Sequence, residues 1–402
     1  MASGGSLIPP TPDSILFARN LFQALNDSTE LRAKNHMVSP AGARSALTLV
    51  FMGAGVKSAE ELRSGLLLGK AKKLEIAQQH AEFMSKECVC SEKGASMRLA
   101  TGLFVNNLLE LQADFSSQAL EFFNVKPDTL SFVDGQSAMQ HVNKWLQKHT
   151  FQTIRDLFTP AIFTPEASVV LVNSIYFRAK WAKRFAPQHT LLDDFWINDS
   201  QRMQLPMMRQ VGKFRYGQSR KLKSRIVQLP FDESDLNMLL LVPFDIAGLP
   251  ELEAKLQQVD LNVVAQKSVM HDCEVILPKF KLESDVDLKV PLQKVRLTLT
   301  LCLIHSHFLC VRQLGVKSIF ESGQADLSGL LANRSRGLIT EVRQKLYLNV
   351  NEAGCESDPS EPIVPATAAK DADLKVFKAN HPFVFAIRNA RNVYFVGHYV
   401  RP

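Results

Sequence analysis

Residues Val169 to Phe177 read VVLVNSIYF, and this run restricts the fold more than any other feature of the chain. Apolar, β-branched and aromatic side chains fall on both faces of it. A strand built from these residues has no face to give to water. It belongs in the middle of a sheet, covered on both sides.

Helix signals precede it. Thr11-Pro12 reads as an N-cap followed by proline at the first helical position, after which Ile15, Ala18, Leu21, Phe22 and Leu25 share one face. Ser39-Pro40 repeats the device ahead of Ala46, Leu49, Val50 and Met52. Ser58 with Glu61 reads as a capping box that opens a third helix through Leu62 and Leu66. A fourth helix is expected around Leu74 to Phe83, and a later one over Ala138 to His149 with Trp145 on its apolar side. Further strands are expected at Arg98 to Asn106, Met238 to Val242, Glu274 to Leu277 and Lys345 to Val350. Two apolar runs near the end, Val384 to Ile387 and Val393 to Val396, carry a hairpin signal. Helices crowd the front and strands the remainder, without βαβ alternation. That pattern implies an α+β fold with large, mostly antiparallel sheets. No repeat or low-complexity linker divides the 402 residues, so one domain over 1–402 is expected.

Composition narrows the function. With 46% hydrophobic and 22% charged residues, disorder is excluded as the main theme, and six cysteines are too sparse to staple the fold. A net charge of +7 spread over this length does not by itself imply nucleic acid. The longest apolar stretch, Leu297 to Leu309, is shorter than the ~20 residues a membrane helix needs and contains His305 and His307, so no membrane partner is expected. Met1 to Asp13 has neither a basic n-region nor an apolar h-region. Sequons at Asn26, Asn198 and Asn333 would matter only on the secretory route.

Catalytic motifs are missing: there is no G-x-S-x-G, no H-E-x-x-H and no Walker loop. No enzyme activity, metal or cofactor is expected. Gly53 to Ser58 resembles half a phosphate loop and is read as a helix end followed by the next cap. Cys88-Val-Cys90 lacks a second ligand pair at zinc spacing, so ordinary thiols are expected. His80, His141 and His149 have no partner that spacing establishes. Arg209, Lys213, Arg215, Arg220, Lys221, Lys223 and Arg225 form a run of bases without an acid, interleaved with Phe214 and Tyr216. It reads either as a polyanion site, for a glycosaminoglycan among others, or as the solvated face of two strands around a turn at Gly217.

These motifs accumulate in a familiar order. Val38-Ser39-Pro40 with Ala46-Leu47 and Gly53-Ala54, then Leu171 to Phe177 followed by Trp181 and Phe185, resemble the serpin family. Leu229-Pro230-Phe231, Leu277-Pro278-Lys279-Phe280, Ala325 to Gly329, Val350-Asn351-Glu352-x-Gly354 and Phe377 to Phe383 continue the resemblance over about residues 11 to 402. It implies an α+β serpin fold with three β-sheets, eight or nine helices and an exposed reactive loop. It further implies a monomeric inhibitor of serine proteases that acts as a suicide substrate: the target cleaves the loop, and the loop inserts as a new strand of the main sheet. Insertion of a serpin loop is a well-known case of strand addition driven by stored strain. Members are mostly secreted, which implies an extracellular setting; the start at Met1 reads like that of a cytoplasmic member.

By resemblance, hinge and reactive loop span 352–376. The hinge begins at Glu352, seventeen residues before the scissile bond, which places that bond at Ala368-Ala369. Ala368 suits an elastase-like pocket; a slip of two residues would place it at Lys370-Asp371 and suit a trypsin-like one. Lys279 resembles the lysine that pairs with the hinge glutamate at the top of the sheet, and Trp181 the aromatic covering that opening, the breach. Ser39 and Asn173 resemble members of the polar cluster beneath the sheet centre, the shutter. There Gln344 stands in place of the usual histidine and Gly42 in place of a usual second serine.

Two departures from the pattern carry expectations of their own. Inhibitory hinges usually hold Thr or Ser and then small residues, but this one reads Gly354-Cys355-Glu356-Ser357-Asp358-Pro359-Ser360-Glu361-Pro362. Alternate residues of an inserted strand face the core, here Cys355, Ser357, Pro359 and Glu361. Proline cannot donate to the ladder and a buried carboxylate is costly, so inhibition is expected to be inefficient. A non-inhibitory member of the fold is the alternative. The second departure is Val295 to Gln313, for which the family pattern has no room. It reads as a retained intron or as a surface insertion.

Overall fold

The computed structural model describes residues 12–87, 95–150, 158–294, 297–299, 310–312, 314–332, 337–355 and 374–402. Strands of the described residues form a six-stranded, a nine-stranded and a two-stranded sheet. Val169–Lys180 is an interior strand of the six-stranded, or main, sheet, and every residue from Val169 to Ile175 is buried. The expectation of a doubly covered strand therefore holds. Across this sheet the order is Phe280–Asp287, Ile339–Val350, Gly354–Cys355, Val169–Lys180, Ser96–Asn106 and Asp128–Leu130.

One irregularity of the main sheet positions the site. Ile339–Val350 and Val169–Lys180 run parallel and pair from Ile339↔Val169 to Leu346↔Ile175. Beyond that point they part. The two-residue strand Gly354–Cys355 lies between them, antiparallel to both.

The nine-stranded sheet is organised by Gln201–Ser219, which pairs with Leu191–Asn198, with Val269–Pro278 and, at its far end, with Ser224–Pro230. The expected carboxyl-terminal hairpin is present as Phe383–Arg388 and Val393–Tyr399. The two-stranded sheet is Leu297–Leu299 with Cys310–Arg312. Helices Asp13–Asn26, Pro40–Gly53, Val56–Gly65 and Lys73–Glu87 precede the first strand of the main sheet. Pro40–Gly53 is buried along almost its whole length, because it passes between the other helices and the main sheet. The α+β class follows from this segregation of helices and strands.

Three local expectations need correction. Pro12 is the N-cap and the helix starts at Asp13; proline offers no side-chain acceptor, and Thr11 lies outside the described residues. Ser58 and Glu61 form no capping box, because the helix starts earlier, after Gly55. Their side chains bind a distant loop instead: Ser58 Oγ lies 2.9 Å from Ser318 Oγ and accepts from Asp326 N, while Glu61 Oε2 accepts from the Lys317 and Ser318 amides. Gly217 is not a turn. It lies inside Gln201–Ser219, where a Cβ would meet Lys267 O at 2.8 Å, so the glycine permits close passage of a neighbouring backbone.

Candidate functional site: the hinge and the opening of the main sheet

Asn351 makes the turn that leads into Gly354–Cys355, the start of the expected hinge. Its Oδ1 accepts from Ala353 N at 2.9 Å and Gly354 N at 3.2 Å, and its own amide donates to Gly354 O. An Asn side chain that mimics a backbone turn in this way is a common device. Gly354 follows because nothing larger fits: a Cβ there would stand 2.0 Å from Ala179 O. Cys355 then pairs with Ala179 on one side and Val350 on the other, buried in the same core as Phe177 and Leu348.

Glu352, where the hinge is expected to begin, is tied down. Glu352 Oε2 lies 2.8 Å from Lys279 Nζ, and Glu352 Oε1 accepts from Thr190 Oγ1 at 2.8 Å. Burial pushes this carboxyl up, but the Lys279 bond, a backbone bond, Thr190 and the lysine charge outweigh it and leave the group below its ordinary value. Trp181 is bonded to the same turn. Its indole Nε1 donates to Asn351 O at 2.9 Å, its amide donates to Ala353 O, and its ring stacks on Phe231 with centroids 4.7 Å apart. Phe185 N donates to Glu352 O. Glu352, Lys279 and Trp181 thus come together around one turn.

Farther along the same pair of strands lies a buried polar cluster. Ser39 is the N-cap of Pro40–Gly53, and its Oγ accepts from Gly42 N at 3.1 Å. Gln344 and Asn173 are register partners across the parallel pair. Gln344 Oε1 accepts from Ser39 N at 2.7 Å, while its Nε2 donates to Asn173 Oδ1 at 2.8 Å and Ser39 O at 3.0 Å. Asn173 Nδ2 donates to Ala100 O and Thr101 Oγ1. A Cβ at Gly42 would lie 2.4 Å from Asn173 Oδ1 and 3.2 Å from Gln344 Nε2. Glycine at 42 thus leaves room for the bonded amide pair of Asn173 and Gln344, with Asn173 Oδ1 the nearer of the two.

The remaining candidates separate. Glu356, Ser357, Pro359, Glu361, Ala368, Ala369, Lys370 and Asp371 lie outside the described residues. The basic run lies along the strands flanking a turn at Arg220 to Lys223. Arg209 pairs with Asp193 at 2.7 Å, Lys223 with Glu251 at 3.0 Å, Arg225 lies over the Phe244 ring, and Arg215 Nη1 donates to Ser268 O. Lys213, Arg220 and Lys221 are exposed. His80 has Ser45 as a partner, His141 has Asp128, and His149 has the Trp145 carbonyl. Sequence reasoning missed Asn351, Thr190 and Thr101; of these only Asn351, a turn former beside the Glu-x-Gly of the hinge, left a local signal.

Comparison with known proteins gives this geometry its context. A family model described as Serpin (serine protease inhibitor) matches residues 14–302 and 309–402. Serine protease inhibitor 42Dd of Drosophila melanogaster is 30% identical over 385 residues, covering 96% of this chain and 95% of its own. Leukocyte elastase inhibitor of Bos taurus is 30% identical over 397 residues, with 96% and 97% covered. Among solved structures, Serpin48 of the insect Tenebrio molitor superposes with a TM-score of 0.81 at 26% identity, covering 97% of each chain. Uncleaved ovalbumin, at 22% identity and the same TM-score, shares the fold. With its inhibitory rather than catalytic relatives and a family match over nearly the whole chain, the chain belongs to the serpin family.

Proposed function

We propose that this serpin acts on serine proteases as a suicide substrate, cleaved at Ala368-Ala369, and that its loop then enters the main sheet between Ile339–Val350 and Val169–Lys180. The observation that carries the reading is the position of Gly354–Cys355, which already occupies the first rung of that slot. An elastase-like enzyme is the proposed target, because Ala368 is small and because relatives bear the name leukocyte elastase inhibitor.

Extending the register of Cys355 antiparallel to both neighbours would put Pro359 between Ile175 and Leu346, and Glu361 between Asn173 and Gln344. Proline has no N–H for either ladder, and the carboxylate would enter a buried site. Inhibition is accordingly slow, with much of the protein consumed as substrate. The test is incubation with elastase-, chymotrypsin- and trypsin-like enzymes. We expect a covalent complex resistant to denaturing electrophoresis, accompanied by a large fraction of cleaved free protein. Mass analysis of that fraction separates Ala368-Ala369 from Lys370-Asp371. Cleavage without any complex would establish the non-inhibitory alternative.

An extracellular setting draws no support from these relatives, and we propose the cytoplasm. The Asn26 sequon is buried, which would bar a glycan there, and Cys273 is a buried free thiol. No helix among the described residues is long and apolar enough to cross a membrane. Val295 to Gln313 we read as an extra segment; the family match is itself interrupted between 302 and 309. Sequencing the transcript decides whether the segment is retained.

A further inference from the structure

A cleft of about 410 Å³ opens between the start of Asp13–Asn26, the flank of Pro40–Gly53, the helix Lys73–Glu87 and the turn at Arg391 to Val393. That volume falls in the range of roughly 300–1,000 Å³ that holds small molecules. Leu68, Ile76, Phe83 and Val393 line it with apolar surface. Arg44 supplies a cation. Its Nε donates to Leu66 O at 2.9 Å and its Nη2 to Leu67 O at 3.1 Å, which uses two of its five N–H groups. Both acceptors are neutral carbonyls. The opposing charge is Asp13, which attracts Arg44 from beyond ion-pair distance, and burial works against the charged guanidinium.

The other polar groups of the cleft are already matched. Ser45 Oγ lies 2.6 Å from His80 Nε2, and His80 Nδ1 lies 3.0 Å from Phe122 O. Burial pushes His80 down to about 4, so it is neutral, donates to the carbonyl and accepts from the serine. Arg391 is paired with Glu87 at 2.8 Å. Arg44 is therefore the cation in this cleft whose charge lacks a close partner among the described residues.

We propose that the cleft binds a small organic monoanion, a carboxylate on an aromatic or short aliphatic body, with the carboxylate on Arg44 and the body against Leu68, Ile76 and Phe83. A guanidinium offers the carboxylate paired N–H donors. One such cation in a partly enclosed volume selects against a polysulfated chain, which needs a row of them.

The probe is 2-naphthoate, titrated calorimetrically against the full chain, with 2-naphthamide as its neutral counterpart. The acid binds saturably with one site, and the amide binds at least about tenfold more weakly. Arg44→Gln, which keeps an amide donor for the Leu66 and Leu67 carbonyls, weakens the acid by a similar factor. Asp13→Asn, at the exposed mouth, tightens it about twofold through removal of a like charge. Gln79→Trp on the exposed rim blocks the cleft and abolishes binding, without changing thermal unfolding of the unliganded protein. Equal affinity for acid and amide, or binding indifferent to Gln79→Trp, overturns the proposal. If Arg44→Gln does not fold, these two comparisons and Asp13→Asn still decide it.

Discussion

Replacing Glu361 with threonine should stabilise the loop-cleaved protein at neutral pH, and the gain should shrink on acidification. Were the register of Cys355 extended, the Glu361 side chain would share the face of Cys355, Ile175 and Leu346, which lie in the core. It can arrive there protonated. From an ordinary carboxyl value of about 4.3, holding the proton at pH 7 costs about 3.7 kcal/mol, which is a ceiling on the penalty. It can also arrive ionised. Insertion separates Asn173 from Gln344, and their amide groups become donors, each worth about 1.5–3 kcal/mol to a charged acceptor. Set against several kcal/mol of desolvation, the net penalty is about 1–4 kcal/mol at pH 7. Burial in the sheet would raise the carboxyl value above that of a solvated chain. The inserted form would therefore be favoured fully below the solvated-chain value and would lose that advantage as pH rises through the raised one. At pH 5 the ceiling is about 1 kcal/mol. Thermal unfolding of cleaved wild type and Glu361→Thr at pH 7.5 and pH 5.0 reads this out. The expected gain is roughly 1–5 °C at the higher pH and at most about 1 °C at the lower. Equal stabilities at pH 7.5, or a gain that grows in acid, would refute the register.

Gln344→Leu should destabilise the intact protein by about 2–5 kcal/mol, because Ser39 N and Asn173 Oδ1 lose their partners in the core while Ser39 O keeps its bond from Ala43 N; chemical denaturation measures it, and a loss under 1 kcal/mol contradicts the assignment. Gly354→Val should expel the hinge from the slot, since its Cβ would overlap Ala179 O, and the emission of Trp181, whose amide bonds to Ala353 O, should shift. Glu352 is held below its ordinary value, so its anchoring contribution is complete above the ordinary carboxylate range and is lost as pH falls through the lowered one. Glu352→Gln should speed labelling of Cys355 by a thiol reagent at pH 7, followed by peptide mass mapping, and unchanged labelling would show that the ion pair does not hold the hinge.

Some of this site could be reached from the sequence and some could not, for physical reasons. Val169 to Ile175 announces itself because a strand buried on both faces cannot alternate, and every neighbour of such a strand is constrained by it. Ser39-Pro40 is legible because an N-cap acts within three residues, here on Gly42 N. Ser58 and Glu61 misled for the same reason. The local pattern suits a cap, but Ser318 and Asp326, some 260 residues later, compete for the same oxygens. A two-residue strand such as Gly354–Cys355 has no period to detect. Its placement depends on Ala179 and Val350, which no local signal connects to it. Likewise Gly42 and Gln344 read as two independent departures from the serpin pattern, and only their proximity in space links them: a side chain at 42 would run into Asn173 Oδ1 and crowd the Gln344 amide bonded to it.

Where the unusual hinge residues would fall matters more than how many there are. The strands Ile339–Val350 and Val169–Lys180 are already apart at Ala179 and Val350, where Cys355 sits, so residues 356–358 would enter a gap that requires no pair to break. The first pair that insertion must open is Leu346↔Ile175, and Pro359 is the residue that would arrive there, without an N–H to offer either strand. Lys345↔Ser174 opens next, and then Gln344↔Asn173, which is also the pair cross-linked through its side chains and to Ser39. Glu361 would arrive at that point. The two residues that most oppose insertion thus meet the first and the best-secured of the three leading pairs. Their cost would fall on the rate of entry, before the longer stretch of new ladder has formed to offset it. On the proposed mechanism, a serpin built this way would hold its hinge ready at the mouth of the sheet yet delay the commitment step, and delay at that step would favour hydrolysis of the acyl bond over trapping of the protease.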